Sequence, residues 1–131
     1  MSTWTREELQ SIEGADELQI ASLRRDGTLR PRVTIWAVRV GDDIYVRSVN
    51  GPSAFWFRGT HTRHEGRVWS GGEEKDVAFE DGGADIEDAV DAAYRTKYSR
   101  YAQNIIDSIV APQARSTTLR LVPRPAGAAP D

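Results

Sequence analysis

The stretch that decides the fold, residues 32–48, reads Arg32-Val33-Thr34-Ile35-Trp36-Ala37-Val38-Arg39-Val40-Gly41-Asp42-Asp43-Ile44-Tyr45-Val46-Arg47-Ser48. From Val33 to Val40 it is apolar on both alternating faces, which is typical of a strand that is buried on two sides. The glycine and aspartates at 41–43 predict a tight turn. A return strand follows from Ile44 to Ser48. The stretch therefore predicts a hairpin, whose two strands are antiparallel neighbours in one sheet.

The residues before this hairpin predict a short helix and an earlier hairpin. Thr5 and Glu8 have the spacing of a capping box, and the helix that they begin is expected to end near Gly14. The alternating pattern from Glu17 to Arg24 predicts a strand, and Asp26-Gly27 supplies the turn that follows it.

The elements after the hairpin are short and have clear glycine or proline boundaries. In chain order they are a helix from Ser53 to Gly59, strands from Gly66 to Ser70 and from Lys75 to Glu80, a long helix from Asp85 to Tyr101, a helical piece around Ile105 to Ile109, and a strand from Thr117 to Val122. About six strands, mostly in hairpins, predict an α+β fold whose antiparallel sheet curls into a barrel to hide its edges. We expect one domain over residues 1–122, one long and one or two short helices, and a disordered tail over 123–131.

Composition excludes several classes of protein. The 131 residues include no cysteine, so disulfides, thiolate metal sites and cysteine nucleophiles are excluded. No apolar run approaches the roughly 20 residues of a membrane span, and the polar N-terminus is not a signal peptide. The net charge of -3 argues against a nucleic-acid binder. We therefore expect a cytoplasmic protein without membrane or nucleic-acid partners.

Four motifs, taken in order, resemble one known family. They are the hairpin at 32–48, the loop Asn50-Gly51 followed by Phe55-Trp56-Phe57-Arg58, the hairpin Gly66-Arg67-Val68-Trp69-Ser70-Gly71-Gly72-Glu73-Glu74-Lys75, and the segment Ala93-Tyr94-Arg95-Thr96-Lys97-Tyr98. This order resembles the pyridoxamine-phosphate-oxidase-like split β-barrels of the FMN-binding superfamily, and especially the deazaflavin-dependent nitroreductases. The chain also resembles an uncharacterised subfamily of these barrels.

The resemblance implies a cofactor, FMN or a deazaflavin (coenzyme F420), in a groove that a homodimer completes. It places the phosphates of the cofactor near the strand that ends at Ser48 and near the loop that follows. The cofactor-binding residues that it implies are Arg47, Ser48, Asn50, Gly51, Ser53, Trp56 and Trp36. The chain departs from many of these barrels in that its loop lacks a lysine. The resemblance assigns no catalytic residue.

The sequence allows two roles for Arg47 and two for a cluster of four other arginines. Arg47 either binds a phosphate, as arginine does through two-pronged contacts, or faces outward and pairs with a neighbouring acid. The arginines around the Asp26-Gly27 turn either clamp a polyanionic tail, such as the oligoglutamate of a deazaflavin, or form a solvated loop. These arginines are Arg24, Arg25, Arg30 and Arg32.

The aromatic residues and the two histidines also have more than one possible role. Four aromatic residues either stack on a cofactor or fill the core; they are Trp36, Phe55, Trp56 and Trp69. Trp56 is the best candidate for a ligand contact, and we expect at least two of the four in the core. The tyrosines of the long helix either donate a proton or pack on the barrel with their hydroxyls at solvent: Tyr94, Tyr98 and Tyr101. His61 and His64 lack a third ligand, so we expect no metal site.

Two functions from different classes remain. The first is a cofactor-dependent oxidoreductase, in which the deazaflavin or FMN passes hydride to a small organic acceptor. The second is a non-catalytic protein that binds or carries a flavin or a hydrophobic ligand. A purely structural dimer without any cofactor is a third, weaker alternative.

Overall fold

The computed structural model of the chain describes residues 3–124. Within that range it contains seven strands: β1 (Leu18–Ser22), β2 (Val33–Ile35), β3 (Ala37–Val40), β4 (Asp43–Val46), β5 (Glu65–Ser70), β6 (Glu73–Asp81) and β7 (Leu119–Pro123). It also contains five α-helices: α1 (Arg6–Gly14), α2 (Phe55–Arg63), α3 (Glu87–Lys97), α4 (Gln103–Ile109) and α5 (Pro112–Arg115). The strands form one antiparallel sheet in the order β2-β1-β5-β6-β7-β4-β3.

The two edge strands of this sheet are consecutive in sequence. β2 pairs with β1, β3 pairs with β4, and only Trp36 lies between β2 and β3. The first and last strands of the sheet are therefore joined covalently, so the sheet curls into a nearly closed barrel. The predicted α+β split barrel is confirmed. The predicted single strand at 33–40 is divided at Trp36, which makes seven strands rather than six.

The N-terminal helix begins at the predicted capping box. Thr5 Oγ1 accepts the amide of Glu8 at 3.1 Å, and Glu8 Oε1 accepts the amide of Thr5 at 2.8 Å. Both orphan donors at the start of α1 are thus satisfied. Trp4 and Leu9 are buried in the same apolar cluster as the interior strand residues, and Trp4 Nε1 donates to the carbonyl of Leu121 at 3.0 Å. The helix is thereby anchored to β7.

Helices α3 and α4 cover the outer face of β3 and β4. Alternation along β3 places Ala37 in the interior cluster and Val38 in an outer cluster with the buried rings of Tyr94 and Tyr98. α3 ends at Lys97 because the backbone of Tyr98 is no longer helical (φ -107°, ψ 23°). The helix predicted over 85–101 is therefore shorter than expected.

The C-terminal strand reaches further than the sequence predicts. Pro123 lies in β7 and pairs with Val77. The expected tail at 123–131 thus begins with a strand residue, and positions 125–131 lie outside the described residues. None of the helices between residues 3 and 124 has both the length and the apolar character that a membrane span requires.

Candidate functional site

Two adjoining cavities lie along β2, where the β1–β2 hairpin meets the start of α2. The first, which we name the tryptophan slot, has a volume of about 290 Å³ and is lined by Val33, Thr34, Ile35, Trp36, Arg47, Ser48, Val49, Asn50, Trp56, Ile105 and Ile109. The second, the hairpin pocket, also has a volume of about 290 Å³ and is lined by Ile20, Ser22, Arg24, Arg30, Pro31, Val33, Phe55 and Trp56. Val33 and Trp56 line both, so the two cavities are direct neighbours.

The tryptophan slot brings together most of the residues that the sequence singles out. Five of the seven line it: Trp36, Arg47, Ser48, Asn50 and Trp56. Trp36 reaches the slot because it occupies the break between β2 and β3. Its indole stacks on the ring of Tyr98, with centroids 3.9 Å apart and an interplanar angle of 7°. The slot therefore has one wall that is a fixed, planar aromatic surface.

The loop after β4 is shaped by its own hydrogen bonds. The amide of Ser48 donates to Thr117 Oγ1 at 2.8 Å, and Ser48 Oγ donates to the carbonyl of Gly51 at 2.8 Å. Gly51 has φ +81°, and a β-carbon there would lie 2.4 Å from Cγ of Gln113. Only glycine fits this position. Gly51 and the exposed Ser53 shape the loop but are not part of the slot lining.

The guanidinium of Arg47 is enclosed by acceptors from α3, from α4 and from Thr118 just before β7. Nε donates to Thr118 Oγ1 at 2.9 Å. Nη1 donates to Asp91 Oδ1 at 2.5 Å and to the carbonyl of Ile109 at 3.2 Å. Nη2 donates to Glu87 Oε1 at 2.8 Å and to the carbonyl of Glu87 at 3.2 Å. A guanidinium has five N–H donors, so none is left for a phosphate.

Arg47 thus pairs with acids, as one of its two interpretations holds, but it does so inside the protein. Its side chain is 0% exposed, whereas we expected such a pair at the surface. Glu87 and Asp91 were not singled out by the sequence, because the acids early in α3 suit the helix dipole without any partner. Their i, i+4 spacing on α3, facing an arginine at the end of an apolar strand, is the signal that could have found them.

The hairpin pocket carries polar atoms that have no acceptor within residues 3–124. Ser22 is 4% exposed, and its Oγ has no hydrogen-bond partner; the same holds for Nε of Arg30. Both atoms approach Gly59 of α2, where a β-carbon would lie 2.6 Å from Ser22 Oγ and 2.9 Å from Arg30 Nε. The absence of a side chain at Gly59 therefore makes room for both groups.

The four arginines of the hairpin do not act together. Arg24 and Arg30 line the hairpin pocket, and Arg24 Nη1 also donates to the carbonyl of Leu29 at 2.8 Å. Arg32 lies over the ring of Trp69, 3.8 Å from its centroid, away from both cavities. The exposed Arg25 does not line either cavity.

The four candidate aromatic residues divide into two pairs. Trp36 and Trp56 line the slot. Phe55 is 87% exposed at the rim of the hairpin pocket. Trp69 is held by the Arg32 contact and by a 2.8 Å hydrogen bond from its Nε1 to Glu74 Oε1. Trp36 and Trp56 also pack against the buried clusters, whereas Phe55 and Trp69 do not belong to them, so none of the four is confined to the core as expected for at least two.

Tyr94, on α3, and Tyr98, directly after its last residue, pack on the barrel, but their hydroxyls do not reach solvent as one interpretation expected. Tyr94 donates to the carbonyl of Trp36 at 3.1 Å, and Tyr98 donates to the carbonyl of Asp16 at 2.8 Å. Burial raises the pKa of both phenols above the ordinary value of 10. Neither tyrosine lines the slot or the hairpin pocket. They position Trp36 rather than face a ligand.

The histidine pair shows no metal-binding arrangement in the part of the chain that the structure describes. His61 Nδ1 lies 3.1 Å from the carbonyl of Phe57, and the two imidazole centroids are 5.8 Å apart. Across residues 3–124, no group of three or more His, Cys, Asp or Glu side chains could hold a metal ion.

A family model described as "Uncharacterized protein conserved in bacteria (DUF2255)" matches residues 8–121. The chain belongs to this family. No curated protein matches the DUF2255 chain at a significant level.

Several solved structures have the same fold as this DUF2255 protein. The heme storage protein HutZ from Vibrio cholerae has a TM-score of 0.67 at 14% identity, over 88% of this chain and 87% of its own. A candidate pyridoxamine 5′-phosphate oxidase from Listeria innocua has a TM-score of 0.63 at 12% identity, over 91% of this chain and 92% of its own. An F420-H2-dependent reductase (FDR-A) has a TM-score of 0.59 at 12% identity, over 82% of this chain and 93% of its own. The fold is the split β-barrel that these structures share, which confirms the fold that the resemblance in the sequence implies.

Proposed function

We propose that the tryptophan slot binds the ring of a flavin-type cofactor, either deazaflavin F420 or FMN, and that the protein is an oxidoreductase. The observation that carries the proposal is the meeting of Trp36 and Trp56 with Ser48 and Asn50 in one largely apolar slot. Aromatic side chains suit a planar ring system, and hydroxyl and amide groups suit its polar edge. Structures of the same fold include a reductase that uses F420-H2.

The residues of the slot fit the ring better than they fit a phosphate. The slot lining includes no lysine, and its arginine, Arg47, has all five N–H donors engaged. The remaining polar side chains are neutral: Thr34, Ser48 and Asn50. Ser48 already donates to the carbonyl of Gly51. The charged end of the cofactor would therefore lie outside the slot, beyond the loop at 48–51.

The bound cofactor would supply hydride chemistry, and the chain would bind and orient it. Trp36, fixed by its stack on Tyr98, would hold one face of the ring. Val33 and Ile109 would keep water from that face. Among its lining residues the slot has no Asp, Glu, His, Lys or Tyr, so an acceptor that needs a proton would take it from solvent.

The lack of a proton donor in the slot favours a second candidate, a non-catalytic protein that binds or carries a flavin or a hydrophobic ligand. HutZ, a heme storage protein, has the same fold. Histidine is a frequent axial ligand of haem, yet neither His61 nor His64 lines the slot or the hairpin pocket. The carrier alternative therefore concerns flavins and apolar ligands rather than haem.

A homodimer is part of the proposal. Within residues 3–124, the exposed large hydrophobic residues are Val33, Val49, Phe55 and Ile105, and all four line one or both cavities. A second copy that covers this rim would bury apolar surface and exclude water from the slot. Light scattering that returns a monomer would contradict this part. A cytoplasmic location stays a prediction from the cysteine-free composition.

Cofactor titration tests the proposal. Purified protein is titrated with FMN, riboflavin and F420, and flavin fluorescence and absorbance report uptake. We expect binding of at least one of these at micromolar concentrations, and weaker binding by about twofold to tenfold in Trp56→Leu, since an aromatic contact adds roughly 0.5–1.5 kcal/mol to the burial of the ring. Trp69→Leu, which changes a tryptophan outside both cavities, is the matched control.

Two outcomes decide between the candidates. No uptake of any of the three cofactors contradicts the oxidoreductase. Uptake without any hydride transfer to nitroaromatic or quinone acceptors, when reduced cofactor is supplied, supports the carrier instead.

A further inference from the structure

The hairpin pocket contains donors without acceptors. Ser22 Oγ and Arg30 Nε are buried and have no hydrogen-bond partner within residues 3–124. Leaving such a group unsatisfied is costly, and buried polar groups in native proteins are nearly always paired. Both residues line one cavity, so a ligand there supplies the acceptors once the two side chains turn toward it.

The charge of Arg30 also has no ion-pair partner among residues 3–124, whereas Arg24 interacts with the charge of Asp26 at longer range. No carboxylate of the described chain lies within 4 Å of the guanidinium of Arg24 or Arg30. Asp26, on the same hairpin, accepts the amide and the hydroxyl of Thr28 instead. The side chain of Arg30 is held by a long hydrogen bond, from Nη2 to Thr62 Oγ1 at 3.3 Å. Arg30 is therefore free to turn toward an anion.

The start of α2 adds to the attraction for a negative charge. Phe55 and Trp56, the first two residues of this nine-residue helix, line the pocket, and no side chain caps the helix. The first amides of a helix have no partners within it, and the dipole favours an anion there.

The other walls of the pocket are apolar. Ile20, Pro31, Val33 and Phe55 surround the polar corner. A ligand that fits both parts has a small charged group at one end and an apolar or aromatic stem.

We propose that the hairpin pocket binds a small organic acid, with its carboxylate on Arg30 and Ser22 and its stem against Val33 and Trp56. A planar carboxylate can take two parallel N–H donors from one guanidinium. The few donors here suit such a singly charged group better than a phosphate dianion, which offers three strongly accepting oxygens.

The position of the pocket suggests a role for this acid. Trp56 and Val33 separate it from the tryptophan slot, so the stem of the acid would lie beside whatever occupies the slot. If the slot holds a flavin-type ring, the organic acid is the hydride acceptor, and this role rests on the proposed function. The binding of the acid does not rest on it.

Calorimetric titration of the full chain, without added flavin, tests the proposal with benzoate as the probe. Benzamide, which has the same stem and no charge, is the matched ligand. We expect benzoate to bind at least tenfold more tightly than benzamide. Arg30→Met should weaken benzoate by about tenfold to 100-fold, because it removes a charge-assisted hydrogen bond. Ser22→Ala should weaken it by a smaller factor.

The control is Arg25→Met, which removes an equal charge from the same hairpin at a residue outside the pocket, and it should leave benzoate affinity unchanged. Ser22→Ala removes an unpaired hydroxyl and should fold at least as well as the unchanged protein. Thermal unfolding of all three variants verifies that they are folded, so a loss of binding is not a loss of structure.

Several results would overturn the proposal: no benzoate binding, equal binding of benzamide, or equal loss in Arg25→Met and Arg30→Met. It is also overturned if benzoate does not bind and Arg30→Met weakens FMN but not riboflavin, because the pocket then holds the phosphate of the cofactor. If no flavin or deazaflavin binds but benzoate binds through Arg30, the proposed function fails while this inference stands.

Discussion

Arg47 and Arg30 lie close to the same pair of cavities, yet their surroundings are opposite. Arg47 is fully buried, and its five N–H donors all have acceptors, two of them carboxylates. Arg30 faces a cavity with an unpaired Nε and no carboxylate within 4 Å in the described chain. An arginine whose partners are all internal holds elements together, whereas one that lacks them is available for a ligand. The number of internal hydrogen-bond and ion-pair partners, rather than the distance to a cavity, distinguishes the structural arginine from the one available to a ligand.

The largest expected effect comes from breaking the Arg47 side of this comparison. Arg47→Met should lower the free energy of unfolding by about 3–5 kcal/mol, because Glu87 and Asp91 would remain largely buried without their counter-charge. Urea unfolding followed by tryptophan fluorescence measures the change. Arg67→Met is the control, since Arg67 also pairs with two acids but is 37% exposed, and exposed pairs contribute about 0–1 kcal/mol. Equal costs for both variants would contradict the structural role of Arg47.

The second-largest effect is expected from a substitution at Gly59, which fills the space next to Arg30. Gly59→Ala places a methyl group 2.6 Å from Ser22 Oγ and 2.9 Å from Arg30 Nε, so it should destabilise the protein by about 1–3 kcal/mol through overpacking. Chemical denaturation gives the value. Gly14→Ala, in α1, meets nothing within 4 Å and should be neutral or stabilising. Partial recovery in Gly59→Ala/Ser22→Ala would locate the clash at the hydroxyl.

Unlike Arg47, Lys97 is only partly buried, and its titration makes the free energy of unfolding depend on pH. Its ammonium donates to the carbonyls of Ile12 and Ala37, and burial lowers its pKa from 10.5 to about 8. Between these values the unfolded chain binds more protons than the folded one, so the free energy of unfolding should rise as the pH increases from 8 toward 10. The rise should be on the order of 1 kcal/mol once solvent screening of the partly exposed side chain is allowed for.

Above pH 10 the trend should reverse. Tyr94 and Tyr98 have raised pKa values in the folded protein, so only the unfolded chain loses these protons there and stability falls. The midpoints of urea unfolding between pH 7 and 11 measure both the rise and the fall in stability. Lys97→Met should remove the rise and keep the fall; a rise that persists in this variant would assign it to another group.

The smallest expected effect is on the stability of the Arg30→Met variant. Within residues 3–124 the side chain of Arg30 contributes a long hydrogen bond and no ion pair, so the free energy of unfolding of the variant should stay within about 0.5 kcal/mol of that of the unchanged protein. A loss as large as that of Arg47→Met would show that the two arginines are structurally equivalent and that their comparison fails. Thermal and urea unfolding, run beside the benzoate titration, give the answer.

Local pattern predicted the parts of the fold that depend on nearby residues. The capping box at Thr5 and the turn at 41–43 are of this kind, since their partners are a few positions away. The break at Trp36 was not predictable in the same way. A segment that is apolar on both faces has the same pattern whether it pairs with one strand throughout or with different strands at its two ends.

The site was predictable to a smaller extent. The sequence and the family resemblance together found five of the eleven slot residues, and these five lie at the break at Trp36, just after β4 and at the start of α2. The partners of Arg47 are 40 to 71 positions away in sequence, so no local pattern reveals them. The close approach of Ser22 and Arg30 depends on Gly59, which the sequence marks only as the end of a helix.

The junction at Trp36 sets a limit on how this protein can change. Side chains alternate between the two faces of a strand, so one residue inserted beside Trp36 would turn all of β3 over and expose its inward face. The same insertion would shift the indole out of the slot. By contrast, the rim residue Phe55 can be exchanged without moving any strand. Variation in ligand preference among related chains is therefore expected to accumulate at the rim, while the length of the segment that joins β2 to β3 stays constant.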